Sequence, residues 1–240
     1  MFRKVLFFLI ASAIAHFGLS LTSRVPMSAE VFPAPLTRPL TRIPRSTNFS
    51  TWFIEDEASA WPAEERAVVA TVLANTLGAL ESAGLDGAAL LEGYRFRRFD
   101  GQYAKDKEGN IALVNHGDLE ITLSDTVLLP ENRFFIYHEL GHVVNHRSGG
   151  ELNNRFHALT LQIEGVTALH DWTTAQGFFM RGQAHVHKTE ATADAFALWV
   201  WVAFAKQETP YFHDTPENAN AEAIVEIFSQ AFVATFGESV

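Results

Sequence analysis

Two histidines four residues apart, in the run His138-Glu139-Leu140-Gly141-His142, constrain this chain more than any other feature. Residues i and i+4 stack on one face of an α-helix, so both imidazoles project the same way only if the segment is helical. The surroundings agree. Phe134, Ile136, Tyr137, Leu140, Val143 and Val144 recur at helical intervals after Pro130, and Gly149-Gly150 ends the pattern. The rest of the chain has to supply a core against which this apolar helix can pack.

Among 240 residues with 10 His, an H-E-x-x-H match arises by accident in roughly a few per cent of chains. The pattern lets two imidazoles face one ion, with Glu139 beside the ion rather than on it, where it can take a proton from a water that the ion has acidified. The chain contains no cysteine. That removes disulfides, thiolate ligands and a cysteine nucleophile, so any metal is held by His and carboxylates. Such a donor set favours Zn2+ while admitting manganese, cobalt or nickel.

A catalytic site of this kind needs a third protein ligand and an open position. His146 continues the series, but eight residues along a helix is about 12 Å of axial rise, too far to share an ion with His138. Glu190 is the better candidate. It lies in a helical stretch, Thr189-Glu190-Ala191-Thr192-Ala193-Asp194-Ala195, and shares a face with Asp194. Glu190 can bind the ion while Asp194 accepts the second ring N–H of a ligand histidine and fixes its tautomer. The small residues Ala191, Ala193 and Ala197 let this helix come close to the first.

Elsewhere the pattern alternates between helix and strand. Pro62 to Ala83 reads as an amphipathic helix with Pro62 at its first position and Gly84 at its end. Tyr94 to Phe96, Ile111 to Val114 and Leu119 to Leu123 read as short strands, the first two flanking a turn-like Lys107-Glu108-Gly109-Asn110. Further helices are expected over 152–169, 189–206 and 216–236. Trp199, Trp201, Phe204, Phe228, Phe232 and Phe236 read as core rather than as a binding surface. The fold class is α+β, with a small, mostly antiparallel sheet.

The N-terminus offers basic Arg3 and Lys4, an apolar run from Val5 to Ser12, and Ala13-Ile14-Ala15, the layout of a signal peptide over residues 1–15. An uncleaved anchor extending to Leu21 is the competing reading. Five prolines between Pro26 and Pro44 make 16–50 a linker, strap or propeptide, followed by a catalytic domain over 51–240. Lys and Arg number 18 against 28 Asp and Glu, a formal charge of -10. That balance speaks against nucleic acid and anionic membrane surfaces as partners, and cleavage of the signal peptide leaves no stable membrane contact.

With His138, Glu139, His142, Glu190 and Asp194 in these positions, the chain resembles the gluzincins, the thermolysin-like zinc peptidases. In these a Glu on a second helix, followed four residues later by an Asp, supplies the third ligand. The spacing of 48 from His142 to Glu190 exceeds that in thermolysin itself, and Ser148 stands where a metzincin has its third histidine. The resemblance implies a zincin-like domain and a secreted or periplasmic zinc metallopeptidase acting on a peptide or protein substrate, with Glu139 as general base. It also implies that the strand before the metal helix, Leu119 to Ser124, pairs with extended substrate. A donor for the oxyanion is needed too, and of His185, His187 and Tyr211 we select His187. A hydrolase of a non-peptide amide or ester and a catalytically silent metal-binding envelope protein are the alternatives.

Overall fold

Pro62, Glu64 and Glu65 start the first helix, α1 (Ala63–Ser82). Pro62 has an extended ψ of 147° and stands just before the helix rather than at its first turn. The two carboxylates favour the positive end of the helix dipole. Gly84, at φ 85°, ends it, where the Leu85 N–H reaches back 3.0 Å to the Leu80 carbonyl. A computed structural model describes residues 49–55, 60–99, 111–129, 132–162, 187–205 and 221–237. All belong to one compact unit, residues 38–240. The signal segment, nearly all of the Pro-rich stretch, the turn at 107–110, His170, His185, Tyr211 and His213 lie outside the described residues.

After α1 come a one-turn helix, α2 (Gly87–Leu90), capped by the Asp86 carboxylate, and three strands: β1 (Arg95–Arg98), β2 (Ala112–Asn115) and β3 (Glu120–Leu123). The strand positions follow the alternation, but the pairing corrects two expectations. The sheet order is β1-β3-β2, with β2 antiparallel and β1 parallel to β3. The sheet is therefore mixed rather than mostly antiparallel, and β1 and β2 are not hairpin partners. The hairpin turn is instead at 116–119, where the Asn115 side chain accepts the Gly117 and Asp118 backbone N–H groups. Since β3 is central and bonded on both edges, its backbone has no room for a peptide. Both β1 and β2 are edge strands: the outer edge of β1 is bridged at Phe96 by Phe53, and that of β2 has no partner strand among the described residues.

The metal-motif helix, α3 (Arg133–Arg147), is buried nearly all round, because α1, β2 and the helix α5 (Lys188–Leu198) all pack on it. Gly149 and Gly150, both at positive φ, turn the chain sharply into α4 (Glu151–Thr160). The expected helix at 152–169 instead runs from Glu151 to Thr160 and ends in a turn at Leu161 and Gln162, and 163–169 lie outside the described residues.

Past α5 the winding loosens into a π-helical turn, Trp199–Phe204, which brings Trp201 edge-on to Tyr137 and Phe134 of α3. The last helix, α6 (Ala221–Phe236), lays Phe228 and Phe232 against Phe156, Phe196 and Trp199 with ring centroids 5.0 to 6.1 Å apart. Each such ring contributes about 1.5–3 kcal/mol on burial, so this aromatic layer anchors α4 and α5, the helices behind the site. Among the described residues no helix is long and apolar enough to cross a membrane.

Candidate metal centre

Helices α3 and α5 meet at backbone distance because both carry small residues at the crossing. A Cβ added to Gly141 would lie 2.9 Å from the Cα and the carbonyl oxygen of Ala193. Glycine in the motif thus sets the gap between the two helices, and across that gap the side chains of one reach the other.

Four side chains converge there. His138 Nδ1 lies 2.7 Å from Asp194 Oδ1, in a pair buried from solvent. A carboxylate at that distance holds the proton on Nδ1, which donates to it, and leaves the Nε2 lone pair facing the crossing. His138 Nε2 is 3.3 Å from Glu190 Oε2, His142 Nε2 is 3.4 Å from Glu190 Oε1, and the two Nε2 atoms are 3.1 Å apart. For ligand bonds of 2.0–2.1 Å the edge of a tetrahedron is about 3.3–3.4 Å. The observed separations are therefore close to those that three ligands of one such ion would have.

The chemistry of the donor set agrees with its geometry. Two nitrogens and a carboxylate directed at one point repel one another unless a cation lies between them. Contact with the His138 imidazole, then with that of His142, holds the Glu190 carboxyl well below the usual range, although partial burial acts to raise it. His138, His142 and Glu190 lie close enough together to bind a metal ion. Glu139, next to His138 on α3, is buried with 7% of its surface exposed.

The remaining candidates sit elsewhere. His187 is the exposed residue immediately before α5, three positions ahead of Glu190, and makes no capping bond to the helix. His146 is exposed at the end of α3 and stacks on His116, with ring centroids 4.1 Å apart and planes within 13°. His116 Nδ1 is in turn 2.7 Å from the Tyr94 hydroxyl, and the Arg147 guanidinium covers the Tyr94 ring. Desolvation, reinforced by His146, His142 and Arg147, pushes the His116 imidazole below its ordinary value of 6.5.

Sequence reasoning missed this Tyr94–His116–His146 cluster, since its members come from the residue before β1, the β2–β3 turn and α3, with no common spacing. It also missed three buried polar residues behind the ligands, Asn145, Asn153 and Thr192. Polar residues at apolar positions of otherwise regular helices were the available signal. Comparison with family models, with curated proteins and with solved structures finds no match to this chain.

Proposed function

We propose that this chain is an exported zinc-dependent metallopeptidase, with the ion held by His138, His142 and Glu190. The observation that carries the reading is the set of three ligand separations of 3.1, 3.3 and 3.4 Å, combined with a buried carboxylate one residue after the first ligand. Bound there, zinc supplies Lewis acidity, which acidifies a water and polarises the scissile carbonyl.

The chain's own residues do the rest. Glu139 accepts a proton from the attacking water on its carboxylate and passes it to the leaving amine nitrogen, so it ends each cycle ionised as it began. Asp194 keeps the His138 proton on Nδ1 and the ring in its ligating orientation. His187 is the proposed donor to the oxyanion as the carbonyl carbon becomes tetrahedral. The outer edge of β2, the strand that packs on α3, suits an extended peptide, which could add to the sheet through main-chain hydrogen bonds. Export rests on the signal-like residues 1–15 and predicts a mature N-terminus beginning near residue 16.

The test is Glu139→Gln, nearly isosteric and unable to accept the proton. It retains bound zinc while peptide turnover falls by about 10²–10⁴-fold, measured as metal content and as cleavage of a peptide library on the same preparations. Undiminished turnover overturns the role of Glu139. Cleavage of simple esters with no cleavage of peptides overturns the choice of substrate.

A further inference from the structure

The donors are carried by two helices, and at the crossing α5 presents small residues to Gly141 of α3. Ala191, Ala193, Ala195 and Ala197 are fully buried, and contacts between small apolar groups are non-directional. The His138–Asp194 hydrogen bond is one directional tie between α3 and α5, but a single bond can act as a pivot, so a second tie is needed to fix how far α5 is displaced along its axis against α3. The tolerance is small, since sliding by one residue's rise, about 1.5 Å, would carry Glu190 out of ligating range.

A polar chain through α4 meets that need. Asn145, one turn beyond His142 on α3, accepts the backbone N–H of Asn153 on its Oδ1 at 3.0 Å. Asn153 is the third residue of α4, where backbone N–H groups lack a partner within the helix, and Gly150 at the cap position has no side chain to offer. The Asn153 side chain then meets the Thr192 hydroxyl at 3.1 Å, and that hydroxyl also lies 2.8 Å from the Lys188 carbonyl of its own helix. Thr192 stands two residues after Glu190 and two before Asp194, on the opposite side of α5 from both. The three residues are 8%, 5% and 0% exposed. In so dry a setting each lost hydrogen bond leaves a buried polar group unpaired, which destabilises the arrangement. The bonds are satisfied together only in one register of the three helices.

We propose that Asn145, Asn153 and Thr192 form a buried polar latch that holds α5 in the register at which Glu190 completes the metal centre. They are positioning residues and touch no ligand of the ion. The inference rests on the metal-centre reading above.

The experiment compares the full chain with Thr192→Val, which keeps the shape and loses the hydroxyl, Thr192→Ser, which restores it, and Asn153→Leu. Zinc affinity is read by competition with a chelator, ligand geometry by the visible spectrum after cobalt substitution, and integrity by far-ultraviolet circular dichroism of the metal-free proteins. Thr192→Val is expected to keep its helical signal, bind zinc about tenfold or more weakly and lose intensity in the tetrahedral cobalt band, with Thr192→Ser recovering both. Affinity within about twofold of wild type in both Thr192→Val and Asn153→Leu overturns the latch. If Asn153→Leu does not fold, the Val and Ser pair at 192 decides alone. Wild type that binds neither zinc nor cobalt overturns the metal centre itself, and the latch with it.

Discussion

Each imidazole at the centre offers the atom that its other nitrogen leaves available. For His138 the choice is made by Asp194, a carboxylate 1% exposed, at 2.7 Å. Asp194→Asn keeps the size but weakens the acceptor, and the expected result is a loss of zinc affinity of about 10–100-fold with the fold retained, measured by chelator competition. His116 gives a separate test. Its imidazole titrates below 6.5 because burial and neighbouring cations oppose its charge, so the unfolded chain binds the extra proton first. Its stabilising effect is complete above 6.5 and is lost as pH falls from there through the folded value. NMR titration should place the His116 inflection below 6.5, and His116→Gln should flatten the acid side of the stability profile. Which residues were legible follows from periodicity. His138 with His142 and Glu190 with Asp194 are each i,i+4 pairs, and the helix itself puts each pair on one face. Asn153 and Thr192 meet across 39 residues, and nothing local joins them.

Among the elements, the helices were legible and the sheet only in part. Apolar spacing located α1, α3, α5 and α6, whereas strand alternation says which residues face inward and nothing about direction or neighbour. The parallel pairing of β1 with β3 joins segments distant in sequence, so the mixed sheet and the central place of β3 could not be read from three short runs. Gly141 marks another limit: the motif constrains its histidines and glutamate but leaves this position open, and only the approach of α5 to within 2.9 Å of a would-be Cβ explains a glycine there. Gly141→Ala should force the helices apart. We expect a stability loss of about 1–3 kcal/mol in urea unfolding, together with weaker zinc binding. Unchanged values would mean that α5 gives way at little cost.

For the molecule as a whole, the two ligand-bearing helices are far apart in the chain but pack directly on each other in the fold. A sequence without cysteine has no covalent bond between distant segments. An ion bound by His138, His142 and Glu190 would take on that duty, tying His142 to Glu190 across a sequence separation of 48 as a disulfide would. Unlike a disulfide, it does so reversibly and in proportion to supply. At 100 times its dissociation constant the ion adds about 2.7 kcal/mol, which for a chain of this size raises the melting temperature by roughly 5–10 °C. Melting curves recorded against buffered free zinc should therefore climb with each tenfold step, and a chelator should act on this protein as a reductant acts on a disulfide-bonded one.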